Sequence, residues 1–536
     1  MFHKTRIKVG IGFSSRKKLK VRQRLQKHSP VLLLASLIII LTFACNFPNL
    51  QPAEATDVPG FSTIIPEVST SQPGTLSTPS SGLTNIVDES QLFIPTDAYQ
   101  LWDRMPYTVQ AGDTLPALTA RFRTTIENIA ADNPSLPSAG KLTTLAPGQV
   151  LSIRLVVDPF WDEGVVILPN SLYVNGPATL DFDAASFLAA SNGWLKNYID
   201  RSGEKPVTGL QIVESIVNNY SLSPRLILAI LEYQLHALSD PVVPASFSLG
   251  NLDPDRRTLG RQLSWAANIL NNGYYGWRKG SLTQYTSLSG FMVNPNPWQN
   301  AATVAIQYYF SRFLPQSEYD LGITQNNFLQ TYQSLFGSFS WKSDFDESFI
   351  PANLEQPAMG LPFQSGLRWS LTAGPHSGWG TGFPWAAIDF APPAETAGCT
   401  PSEHWAVAMT GGIITRSEDG LVVQDLDGDG SSQTGWVILY LHIFPDGAAG
   451  VGDRLEKGDL IGHPSCTGGQ STGRNLHIAR LYNGEWIPAG AEIPFNMDGW
   501  VMAEGIMDYK GSLSRGSYTV YPSSLGIWSS QLTADP

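Results

Sequence analysis

Residues 471–486, STGRNLHIARLYNGEW, decide how the C-terminal part of the chain folds. Side chains alternate along a strand, so Asn475 and His477 share one face of it. The character around this stretch is short strands and glycine turns, beginning after a Pro-rich joint near 351–363. Working outward, "GPHSGWGTGFPWAAIDFAPP" holds His376 and Asp389, and "GWVILYLHIFPDG" holds His442. Alternation places Ile438, Tyr440 and His442 on one face of their own strand. Four of the eight histidines lie between 376 and 463, and His477 adds a fifth. Two imidazoles and a carboxylate converging from separate elements leave a fourth position open, as a catalytic zinc requires. Thirteen positions separate His376 from Asp389, so spacing alone does not single them out.

These segments, over about 366–488, resemble the lysostaphin-type zinc endopeptidases that cut peptidoglycan cross-links, an antiparallel-sheet fold. The resemblance implies that His376, Asp389 and His477 are zinc ligands. It also implies that His442 in "YLHI" orients water or stabilises an oxyanion. "IDFAPP", "AVAMTGGIITRSEDG" and "VGDRLEKGDLIG…TGGQSTG" are of the family type as well. Two departures stand out. The His376–Asp389 spacing exceeds the family's three intervening residues, which implies a loop inserted over the site. Asn475 stands where the family has a second catalytic histidine, and an amide cannot take and return a proton. A slow zinc endopeptidase and a non-catalytic wall-binding lipoprotein or regulator are therefore both open. His404 and His463 match no family ligand and read as surface or turn residues, with His463 the candidate if a substitute base exists.

The 536 residues imply several domains, and 49 Gly with 38 Pro imply many turns. Residues 1–44 hold ten Lys and Arg and no acid, so the net charge of −12 leaves −22 on the rest. An acidic body speaks against nucleic-acid binding. The basic head runs into "VLLLASLIIILTFAC", too short for a spanning helix and long for a signal core. It resembles the bacterial lipoprotein signal, which implies lipidation of Cys45 and a membrane anchor. An uncleaved anchor and simple secretion are the alternatives, and all three place the body outside the cytoplasm. If Cys45 carries lipid, Cys399 and Cys466 remain for a disulfide, with free thiols as the alternative.

Residues 46–100 are a Pro/Ser/Thr tether that cannot bury enough surface to fold. In 101–157, "PYTV" and "QVLSIRL" read as strands around two short helices, each opened by a threonine. "YTVQAGDTL", "RFRTTIENIAADNP" and "LAPGQVLSI" resemble the LysM domain, implying N-acetylglucosamine-containing glycan at Gly112, Asp113, Thr114, Asn133 and Pro134. The same residues also serve as turns and caps.

Residues 158–350 show helical periodicity. "SPRLILAILEYQLHAL" faintly resembles the acid-bearing helix of lysozyme-like transglycosylases, but Gln234 stands at the acid position near Glu232. His236 reads as a packing residue. "DLDGDGSSQTG" spaces Asp425, Asp427 and Asp429 as hard cations favour, or builds a hairpin turn; calcium is an expectation here. The fold expected is multidomain α+β: a βααβ LysM domain, an all-helical middle domain, a mainly antiparallel metallopeptidase-like domain over 351–510, and a tail at 511–536.

Overall fold

The computed structural model describes residues 99–535 except 137–143, 158–159, 204, 325, 394–397 and 472. The expectations for the basic head, Cys45 and most of the tether lie outside the described residues. Among the described residues no helix is long and apolar enough to cross a membrane.

Strands β1 (Arg104–Thr108) and β2 (Val150–Arg154) pair antiparallel around helices α1 (Leu115–Arg121) and α2 (Ile126–Asp132). Thr114 and Thr125 cap these helices, each accepting an amide of the first turn, which would otherwise lack a partner.

The middle region is mainly but not wholly helical, since Ile199–Asp200 pairs with Val207–Thr208 and Tyr285–Thr286 with Met292–Val293; its longer helices are α3 (Ala184–Ala190), α4 (Gly209–Tyr220), α5 (Pro224–Leu235), α6 (Leu259–Lys279), α7 (Ala301–Ser311), α8 (Gln316–Gly322) and α9 (Phe328–Phe336). The longest, α6, packs against α7 and α4 and carries Arg278 and Lys279 in its last turn, where cations suit the carbonyl end.

Among the described residues the C-terminal region is strand and loop apart from one 3-10 turn at Trp528–Ser530. Besides a short pair, Ala406–Val407 with Leu460–Gly462, its strands in chain order are β3 (Arg368–His376), β4 (Ala387–Ala391), β5 (Gly412–Glu418), β6 (Leu421–Asp425), β7 (Trp436–Leu441), β8 (Arg454–Leu455), β9 (Leu476–Tyr482), β10 (Glu485–Trp486), β11 (Asn496–Met497), β12 (Trp500–Glu504), β13 (Gly511–Arg515), β14 (Tyr518–Val520) and β15 (Gln531–Thr533). Among the described residues one antiparallel sheet runs β8-β5-β6-β7-β9-β4-β3-β15, with β10 paired to β9. A second sheet runs β11-β12-β13-β14. Residues 511–536 are therefore no tail: they contribute two strands of the second sheet and an edge of the first.

Alternation sorts the large sheet into two faces. Val437, Leu439, Leu441, Ala479 and Leu481 join the helical core, while Ile438, Tyr440, Leu476 and Ile478 join a second core with Trp500, Met502 and Leu513. The sheet is thus buried on both sides, between the helices and the small sheet. That explains why β6 and β7 read as near-continuous apolar runs.

Candidate metal centre

His376 ends β3, Asp389 lies in β4 and His477 in β9, three neighbouring strands. In the register His477 stands directly across from Asp389. The three inward atoms form a nearly equilateral triangle. His376 Nε2 is 3.3 Å from Asp389 Oδ1, His477 Nδ1 is 3.1 Å from the same oxygen, and the two nitrogens are 3.1 Å apart.

Each imidazole spends its outer N–H on a backbone carbonyl. His376 Nδ1 donates to Gly374 at 2.8 Å and His477 Nε2 to Gly378 at 3.1 Å. That fixes both tautomers with the lone pairs facing inward. Asp389 Oδ1 is buried with no hydrogen-bond donor among the described residues. Three acceptors that point at one another without a proton between them call for a cation. Burial works against charge at this point, yet the two imidazoles hold the Asp389 carboxyl far below the usual carboxylate range. Zinc bonds of about 2.0–2.1 Å at tetrahedral angles put donor atoms roughly 3.3 Å apart, so the triangle fits this ion.

A cleft of about 130 Å³ opens beside the triangle, lined by His442, Asn475, Trp379 and Tyr509 among others. His442 reaches it by a route that strand alternation does not foresee. Leu441 is opposite His477, so an extended His442 would fall on the face away from the site. Instead its backbone is left-handed, with φ of 68°. Such a residue costs about 1–3 kcal/mol and persists only when its surroundings hold it. Here they do. Ser465 N–H and Oγ–H both donate to the His442 carbonyl, at 2.6 and 3.1 Å, and His442 Nδ1 donates to Thr467 O at 3.0 Å. Cys466, between these two partners, is disulfide-bonded to Cys399. Burial pushes the His442 pKa down to about 4, so at neutral pH its Nε2 carries a free lone pair.

Asn475 does not face the cleft as a base. Its Nδ2 donates to Asp389 Oδ2 at 3.2 Å and its Oδ1 accepts from Ser471 Oγ at 3.1 Å, so it positions the carboxylate. His463 lies outside the cleft, its ring on Trp405 with centroids 3.8 Å apart, and cannot serve as a substitute base.

Two contributions escape sequence reading. Tyr509, from the β12–β13 loop, lies flat on His376 with centroids 4.7 Å apart. Burial and the nearby Asp389 raise its pKa, leaving a neutral hydroxyl donor at the cleft.

The second is a clamp from α6. Asn268 and Asn272, four residues apart on one helix face, accept the amides of Thr381 and Phe383 at 2.7 Å each. Asn272 also donates to Thr381 O at 3.2 Å. The helix therefore grips the 377–386 loop whose Gly378 carbonyl orients His477. Gly380 and Gly382 make this possible, because both have positive φ and a Cβ on either would collide with the gripping amide oxygens. An Asn268→Ala/Asn272→Ala variant is expected to bind zinc roughly 10- to 100-fold more weakly, the usual cost of losing outer-shell support, as read by chelator competition.

Elsewhere most of the expected site residues are engaged in internal contacts. Asp113 is buried, accepts from Tyr107 Oη and Gln110 N, and pairs with Arg121 at 2.9 Å. Asn133 is buried and bonds Ile129 O and both backbone groups of Ser152. Gly112 and Thr114 line a pocket with Tyr275, Arg278 and Trp385, so the first LysM loop faces the rest of the chain. Arg278 reaches the Ala111 carbonyl at 2.6 Å, and Arg121 donates back to Trp277 O. Of the five expected glycan contacts, Pro134 is exposed.

In the helical region Glu232 caps its own helix end through Leu238 N and Ser239 Oγ, and Gln234 accepts from Tyr309. His236 is the left-handed cap of α5. Asp425 accepts the amides of Asp427, Gly428 and Gly430, and Asp429 takes Ser431 N and Thr434 Oγ1. The loop is built by its own carboxylates, and calcium gains no support.

Comparison with known proteins accords with this arrangement. Residues 107–154 match the LysM domain family and 166–347 match the family described as LasA, N-terminal domain. Protease LasA of Pseudomonas aeruginosa strain PAO1 is 25% identical over 336 residues, covering 60% of this chain and 74% of that protein. The chain thus carries a LysM match at 107–154 and, beyond it, is similar to protease LasA. LasA of strain UCBPP-PA14 is 24% identical over 337 residues with the same coverage. Among solved structures, the M23 metalloprotease pseudoalterin from the deep sea aligns at a TM-score of 0.27 and 24% identity, over 31% of this chain and 96% of its own. In the C-terminal region the His376–Asp389–His477 triangle lies where β3, β4 and β9 meet, at the sheet face that the helices cover.

Proposed function

We propose that this protein is a zinc-dependent endopeptidase of the bacterial cell wall, acting outside the cytoplasm on peptide cross-links of peptidoglycan, with its LysM domain holding the wall glycan. The observation that carries this reading is the triangle of His376 Nε2, Asp389 Oδ1 and His477 Nδ1, three acceptors 3.1–3.3 Å apart with no donor between them. A zinc ion held there would polarise a peptide carbonyl and bring the pKa of water towards neutrality.

The chain's own groups then divide the work. Asn475 and the Gly374 and Gly378 carbonyls orient the ligands. His442 Nε2 accepts a proton from the attacking water and returns it to the departing amine. The Tyr509 hydroxyl donates to the developing oxyanion. Lipid anchoring through Cys45 would keep the enzyme against the membrane, with the tether setting its reach into the wall.

The test is release of soluble muropeptides from purified peptidoglycan, with and without a zinc chelator. Release that persists in chelator, or protein with well below one zinc per chain, would overturn the proposal. An Asn475→His variant is expected to raise turnover about tenfold, since it restores a second proton-handling group beside the site. Unchanged turnover with weakened zinc binding would show that Asn475 serves the carboxylate alone. A full-length protein that binds zinc and wall yet releases nothing, even with Asn475→His, would be the non-catalytic wall protein instead.

A further inference from the structure

The C-terminal segment holds a second, unassigned groove. It lies between two sheet edges, β14 of the small sheet and β15 of the large one, and encloses about 450 Å³. That is within the range of small-ligand clefts, roughly 300–1,000 Å³. Three aromatic side chains line it while remaining largely in solvent: Trp528 is 77% exposed, Tyr518 72% and Tyr521 60%. Leaving rings this open costs free energy, and clustered apolar exposure marks a binding surface.

The rest of the lining mixes apolar side chains such as Val520 and Leu532 with charged ones. Arg515 and Asp535 form a two-pronged ion pair, with Nη2 3.2 Å from Oδ1, and the same guanidinium lies over Trp500, 4.9 Å from the ring centre. Trp500 is 4% exposed and its indole N–H has no acceptor among the described residues. Arg368 and Gln531 complete the walls.

We infer that this groove binds a glycan strand of N-acetylated amino sugars. Sugar rings present flat C–H faces that stack on open aromatic rings, and hydroxyl and amide edges that match a planar Arg–Asp pair. A peptide strand would need free sheet edges, but β14 and β15 are only three residues each. Tyr521 N–H already bonds Ser529 O across the gap. Coverage of Gly112 and Thr114 in the LysM domain gives the chain a use for a second contact with glycan. The assignment stands independently of whether the metal centre is catalytic. One link does rest on the endopeptidase reading. The groove sits at one end of the β12–β13 hairpin and Tyr509 at the other, roughly 17 Å away at about 3.3 Å per residue. A stem peptide of about five extended residues spans that distance.

Hydrogen–deuterium exchange on the full chain tests the groove, because it separates binding at 500–533 from binding at the LysM domain. The probes are tetra-N-acetylchitotetraose and wall glycan strands stripped of their peptides. Both should protect the 518–533 segment, and a Trp528→Ala/Tyr518→Ala variant should weaken that protection roughly tenfold in ligand concentration while exchange over 104–154 is unchanged. The replaced rings are exposed, so folding is preserved, and unchanged zinc binding checks it. No protection at saturating glycan would overturn the inference, as would full protection in the variant. Protection by free stem peptides and not by stripped glycan would mark a peptide site instead.

Discussion

Replacing Asp389 with Ala is expected to abolish muropeptide release and to lower zinc affinity by well over 100-fold. Losing even a partner of a ligand typically costs roughly 10- to 100-fold, and Asp389 supplies a ligand atom itself. Its Oδ1 is the common vertex of the triangle, within 3.3 Å of both ring nitrogens. Without it two neutral imidazoles face each other at 3.1 Å with no negative charge to balance a divalent ion. The cross-strand pairing of Asp389 with His477 does not depend on the carboxylate, so the sheet should survive. Thermal unfolding gives a readout free of activity. Zinc at 100 times its Kd should stabilise the chelator-stripped wild type by about 2.7 kcal/mol and leave the variant unchanged. Equal zinc stabilisation of both proteins would refute the assigned ligand set.

A His442→Ala variant should retain its zinc and lose roughly 10²- to 10⁴-fold in kcat, with KM little changed. The prediction separates binding from proton transfer. His442 is 6.3 Å from His477, ring centre to ring centre, too far to share a metal with it, yet both line one cleft. Because residue 442 is left-handed, His442→Asn is the better-folding companion, since Asn tolerates that conformation. Asn cannot relay a proton, so both variants should be slow alike. A fast Asn variant would mean that the side chain only hydrogen-bonds substrate.

The LysM strands and helices, the apolar periodicity of the helical region and the antiparallel character of the C-terminal part were legible because each follows from local spacing. Burial on a face imposes period 2 or 3.6 on the residues that meet it. The identities of His376, Asp389 and His477 came from resemblance, since thirteen positions and a loop separate the first two. What the sequence did not disclose involves choices between remote partners. The amide of Asn475 looked like a failed base until Asp389 was found within its reach. The segment expected as a tail at 511–536 includes β15, whose pairing partner β3 lies about 160 residues back in the chain.

By itself the sequence determined the order of modules, the acidic body behind a basic apolar head, and the residue types able to hold a cation. The tertiary structure alone decided which way His442 points, because a left-handed turn at a non-glycine residue is enforced by Ser465 and Thr467 rather than by any periodicity. It also decided that α6 grips the loop over the metal centre and that the first LysM loop is covered. Both are side-chain to backbone contacts across more than 100 residues, and local sequence patterns carry no information about partners that distant.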